Sequence, residues 1–99
     1  MIVVAGSVRL QPQHLRAAIQ LAVWMQRETQ AEPGCLEYRF AQDLEQPDLI
    51  HVFENWDSLA SLEAHFRTAH MTQFNAQLPA YLLEKPVVTR YTVSDSAAL

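Results

Sequence analysis

The sequence predicts an α+β fold in the order β-α-β-β-α-β, an antiparallel sheet carrying both helices on one face. Three observations carry this. Ile2 to Arg9, Cys35 to Gln42, Leu49 to Trp56 and Val87 to Val93 are short runs rich in β-branched and aromatic residues. Between them, two stretches starting near Pro12 and Asp57 repeat apolar residues at helical spacing. Pro33-Gly34, Pro47 and Pro86 fall between the runs, where a helix or a paired strand has to stop.

The first strand ends before Gln11-Pro12, and Gly6 inside it marks a close backbone approach. Pro12 suits a first helical turn, and Leu15, Ala18, Ile19, Ala22 and Val23 then define one helix face, widened by Trp24 and Met25. The helix is expected to end between Thr29 and Glu32, because Pro33-Gly34 cannot continue it. Asp43 to Asp48 is polar, contains Pro47 and reads as a hairpin loop. Setting Glu37 opposite Glu54 would juxtapose two carboxylates, so the register is expected to place Tyr38 opposite Glu54, Leu36 opposite Trp56 and Phe40 opposite Val52. Asp57 or Ser58 caps the second helix, whose stripe is Leu59, Leu62, Phe66 and Ala69. A bend or break is expected near Thr68 to His70, after which Met71, Phe74 and Leu78 continue the apolar stripe to Pro79. One domain over residues 1–93 and a flexible tail over residues 94–99 complete the reading.

Composition narrows the function. The formal charge is −4 and the seven basic residues are scattered, which argues against nucleic acid and anionic membranes as partners. No export leader and no membrane span is expected, and the lone Cys35 suits a reducing compartment, so a cytoplasmic location is expected. Two glycines leave no phosphate-cradling loop.

The two faces of the hairpin differ. Leu36, Tyr38, Phe40, Ile50, Val52, Glu54 and Trp56 are mostly apolar and belong under the helices. The other face mixes Cys35, Ala41, Leu49 and Phe53 with Glu37, Arg39, His51 and Asn55. It is too apolar for a fully wetted surface, so a homodimer pairing this face with a second copy is expected.

Three stretches carry a resemblance. Glu32-Pro33-Gly34-Cys35-Leu36-Glu37-Tyr38, Phe53-Glu54-Asn55-Trp56 followed by Ser58-Leu59, and Ala64-His65 with Thr68-Ala69-His70-Met71 and Phe74 resemble, in order and spacing, motifs of antibiotic biosynthesis monooxygenase domains. The resemblance spans roughly Ile2 to Val93. It implies a ferredoxin-like protomer, a dimeric α+β barrel, and a cleft between sheet and helices for a planar aromatic ligand. Some members of that family oxygenate phenols or quinols with protein and dioxygen alone, and others have no known substrate. Haem-degrading relatives in the wider superfamily carry a helix histidine roughly where this chain has Asn75, so haem degradation is not expected.

Within that frame Trp56, Glu54 and Tyr38 share one sheet face, either as core residues or as the flat wall of an aromatic pocket with polar tips. A carboxylate on such a face is costly to bury unless it is paired or protonated; Glu54 either forms a salt bridge or a hydrogen bond to Tyr38 or a helix end, or orients a His or a substrate hydroxyl. His65 lies between Leu62 and Phe66 and is the first choice for the base that deprotonates a phenol, with His70 second. Catalysis is thereby assigned to His65, Trp56 and Glu54, and substrate binding to Tyr38, Phe66, His70 and Phe40. A five-residue gap turns His65 and His70 about 140° apart in a regular helix, so a shared small site requires a bend. No metal or other cofactor is expected, since this is not the i, i+4 ligand spacing and no cysteine cluster exists. The expected function is a cofactor-independent monooxygenase acting on a small aromatic with dioxygen. A non-catalytic aromatic-binding or stress-response dimer and an isomerase on the same scaffold are its competitors.

Overall fold

The computed structural model describes all residues 1–99 and has the α+β architecture the sequence predicts. Strand β1 is Ile2–Arg9, followed by a 3-10 turn at Pro12–His14 and helix α1, Leu15–Gln30. The hairpin is β2, Cys35–Gln42, and β3, Leu49–Trp56. Helices α2, Leu59–Phe66, and α3, Ala69–Gln77, lead through a second 3-10 turn to β4, Val87–Thr92. The sheet order is β2-β3-β1-β4 with every neighbouring pair antiparallel, the ferredoxin-like arrangement. No helix is long and apolar enough to cross a membrane.

Pairing explains Gly6. It lies opposite Val52 on one side and Val88 on the other, and a Cβ there would stand 2.1 Å from the Val87 carbonyl oxygen. Only a residue without a side chain lets β4 close onto β1. In the hairpin, Tyr38 faces Glu54 and Phe40 faces Val52 as expected. Trp56, however, is opposite Cys35 and not Leu36, because a bulge between Cys35 and Glu37 shifts the register. Leu36 is therefore turned out and 60% exposed, while Cys35 packs against the core.

Helix α1 also differs from its predicted face. The buried line is Ala18, Leu21, Met25 and Thr29, whereas Val23 is exposed and Ile19 and Ala22 border a small apolar cavity. Both lines have helical spacing, and the packing of α1 against β2 and α3 decides between them. The core joins Ile2, Val4, Leu21, Met25, Tyr38, Trp56, Leu62 and Phe74, with a second cluster of Val8, Leu10, Ala18 and Ile50 under the start of α1.

The expected break in the second helical segment is present. Thr68 closes α2 by donating its hydroxyl to the His65 carbonyl at 2.8 Å, and opens α3 by accepting from the Met71 N–H at 3.2 Å. One side chain thus caps two helices. Ser58 caps α2, accepting from the Ser61 N–H. With the chain turned at Arg67–Thr68, Phe66 is 54% exposed and not buried beside Leu62 as predicted. His65, three residues after Leu62, takes the inward position instead.

Candidate functional site

A cleft of about 510 Å³ opens between the sheet and helices α2 and α3. Tyr38, Phe40 and Glu54 reach it from the hairpin, Phe66, Met71 and Phe74 from the helices, and Arg90 from β4. The lining is mainly apolar, with few polar groups, as in sites for small molecules. A second cavity, about 160 Å³ between α1 and β2, has only Gln26 and Gln42 as polar lining and offers no titratable group.

Glu54 is the acidic group on the floor of the cleft. It is 8% exposed, and Trp56 donates its indole N–H to Glu54 Oε1 at 2.9 Å. This indole, two residues along the same strand face, is the partner that sequence reasoning sought in Tyr38 or a helix end. Burial pushes the carboxyl up to about 7, the indole bond opposes the rise, and the negative charge of Glu32 adds to it. Across the ladder Tyr38 is buried, and burial with the nearby Glu54 charge holds its phenol protonated. Glu54, Val4 and Arg90 form one row across β3, β1 and β4, so the carboxylate and the guanidinium stand on one face, two strand spacings or about 10 Å apart at the backbone. A cleft of this kind can accept a proton near neutrality and offer a cation to the anion that results.

The other expected catalytic residues form a layer behind this floor. Trp56 is fully buried, and the His65 ring lies against it with centroids 4.9 Å apart and against Tyr38 at 5.6 Å. His65 is 1% exposed and does not line the cleft. Its Nδ1 meets Glu32 Oε2 at 2.6 Å, and Nε2 of His70 meets the same oxygen at 2.7 Å. Burial lowers the His65 pKa, while the bond to Glu32 opposes the drop. The break at Thr68 lets both imidazoles address one atom across the five-residue gap.

The structure thus groups Tyr38, Phe40, Glu54 and Phe66 around the cleft and Trp56, His65 and His70 behind it. Glu32 and Arg90 were not among the residues expected at the site. Glu32 carried a signal in its place before Pro33-Gly34, a turn whose Gly34 has φ +81°. A Cβ on Gly34 would fall 2.2 Å from Ser61 Oγ, and the Asp57 N–H donates to the Gly34 carbonyl, so this turn presses against the start of α2. Arg90 follows Val88 by two residues and so shares its face, but which face meets the helices depends on the β1–β4 register.

The family profile described as antibiotic biosynthesis monooxygenase matches residues 1–77. An uncharacterised protein of Synechocystis is 29% identical over 98 residues, which cover 99% of this chain and 67% of its own. The Escherichia coli protein YgiN, named a probable quinol monooxygenase, is 29% identical over 94 residues, covering 85% of this chain and 90% of its own. Among solved structures, a candidate antibiotic biosynthesis monooxygenase from Deinococcus radiodurans superposes with a TM-score of 0.92 at 26% identity, covering 100% of this chain and 98% of its own. Rv0793 of Mycobacterium tuberculosis gives 0.90 at 25% identity over 98% of both chains.

Proposed function

We propose that this chain, which belongs to the antibiotic biosynthesis monooxygenase family, oxidises a small phenol or hydroquinone with dioxygen and no cofactor. The observation that carries the reading is Glu54, an ionisable carboxyl near neutrality on the floor of an aromatic-walled cleft, oriented by the Trp56 indole. Its role is to take the hydroxyl proton of the substrate, a step for which a pKa near the working pH is well suited. Arg90 faces the resulting phenolate, and the electron-rich ring then delivers electrons to dioxygen. One oxygen atom enters the ring and the other leaves as water, so that a hydroquinone becomes a hydroxyquinone with no external reductant. The similarity to YgiN supports the substrate class.

The base assigned to His65 from sequence moves to Glu54 in this reading, because His65 is buried against Trp56 and Tyr38 and does not line the cleft. His65 holds the indole in place, and Tyr38, Phe40 and Phe66 form the apolar wall. The reading also includes a homodimer in the cytoplasm, with the mixed hairpin face, including the partly exposed Phe53, covered by a second copy. Oxygen uptake by chelator-treated protein over a panel of quinols and naphthols tests the proposal. Turnover that falls about a hundredfold in E54Q with substrate affinity retained is expected. Saturable binding without uptake would replace the enzyme by a binding protein, and product formation without uptake would replace it by an isomerase.

A further inference from the structure

Behind the cleft, Glu32, His65 and His70 come from three segments and bring three donor atoms together. Glu32 Oε2, His65 Nδ1 and His70 Nε2 all lie within 4.8 Å of one another. Both imidazoles address the same carboxylate oxygen, although Oε1 could accept one of them. Two ring nitrogens thus converge on one carboxylate oxygen, gathering three donor atoms in one small volume, and we infer that this volume is a binding site for a divalent zinc ion.

The ligand set suits the cation. Two imidazoles and one carboxylate are hard-to-borderline donors of the kind zinc takes, leaving a fourth tetrahedral position for water. Zinc–ligand bonds of about 2.0–2.1 Å set donor atoms about 3.3 Å apart in a tetrahedron. The two N–O separations, 2.6 and 2.7 Å, must then open by roughly 0.6 Å each. His70 has the freedom to move, because it lies in the first turn of α3 and its side chain is 15% exposed, against 1% for His65. The same exposure gives the ion an entry path and the water a place.

The fold preorganises the site. Thr68 sets the angle between α2 and α3 that removes the obstacle of the i, i+5 spacing. The Pro33-Gly34 turn is held against α2 through Asp57 and Ser61, which fixes Glu32 near His65. The Trp56 ring supports the buried His65. Without the ion, the carboxylate accepts from both imidazoles, which keeps the three donors gathered and compensates the charge of a side chain only 11% exposed. None of the three ligands lines the cleft, so the inference stands independently of the proposed reaction.

Zinc titration against a chromophoric competitor chelator, followed by substitution with cobalt(II), tests it on the purified full chain. One zinc per chain is expected, with the intense visible absorption of four-coordinate cobalt. Affinity is expected to fall by about a hundredfold or more in H70Q and in E32Q, beyond what loss of an outer-shell partner produces. H51Q, at the exposed His51–Asp43 pair, serves as the control and retains wild-type affinity. Circular dichroism verifies folding, and if E32Q does not fold, H70Q decides. Absence of saturable zinc binding by the folded wild-type chain, or wild-type affinity in H70Q, would overturn the site.

Discussion

Replacing Glu54 by Gln is expected to make the protein more stable, and by an amount that grows with pH. Glu54 is buried, its pKa rises from 4.5 to about 7 on folding, and burial is the main cause. The folded state therefore binds a proton more tightly than the unfolded state, and stability declines as pH climbs from the unfolded value through about 7. At about 1.4 kcal/mol for each pH unit, the ionised carboxylate costs the fold about 3 kcal/mol near pH 8.5 and about 1 kcal/mol near pH 5. Gln carries no charge to desolvate, and its carbonyl oxygen can still accept the Trp56 N–H that Glu54 accepts at 2.9 Å. E54Q is thus expected to gain about 2 kcal/mol on the wild type between those two pH values. Urea unfolding of both proteins at each pH, with equal m-values as the check on two-state behaviour, measures the difference. The same stability gap at both pH values would refute the assignment of a near-neutral pKa to Glu54, and with it the proton acceptor of the proposed reaction.

Trp56→Phe keeps a ring beside His65 but removes the N–H that opposes the rise of the Glu54 pKa, so the Glu54 titration should move above its wild-type position of about 7. Carboxyl carbon NMR against pH detects the movement, and a lower value would contradict it. Gly6→Ala places a Cβ 2.1 Å from the Val87 carbonyl and should destabilise the fold by about 2–3 kcal/mol, with amide exchange accelerated first in β4. Thr68→Ala removes the cap shared by α2 and α3, for a loss of about 1 kcal/mol in thermal or urea unfolding. Sedimentation at micromolar concentration is expected to give a dimer, and a stable monomer there would remove the case for covering the hairpin's mixed face.

Much of the architecture was legible because it rests on local rules. The strand alternation from Ile50 to Trp56 set which residues lie under the helices, and Pro33-Gly34 ended α1 where a helix could not continue. Charge repulsion between Glu37 and Glu54 was enough to choose the pairing of Tyr38 with Glu54. Motif spacing led to the family and to the region of the cleft. Local rules stop where two choices satisfy them equally. Ala18-Leu21-Met25 and Leu15-Ala18-Ile19-Ala22 are both helical stripes, and only packing against β2 and α3 selects the first. The bulge that exchanges Cys35 and Leu36 needs one extra residue in β2, which alternation does not reveal. Likewise, His65 and Phe66 compete for the inward position on α2, and the turn at Thr68 gives it to the histidine. Glu32 meets His65 and His70 across 33 and 38 residues of chain. Such a meeting depends on the angles between α1, the hairpin and two short helices at once, and those angles come from the shared core, so only the tertiary structure could decide it.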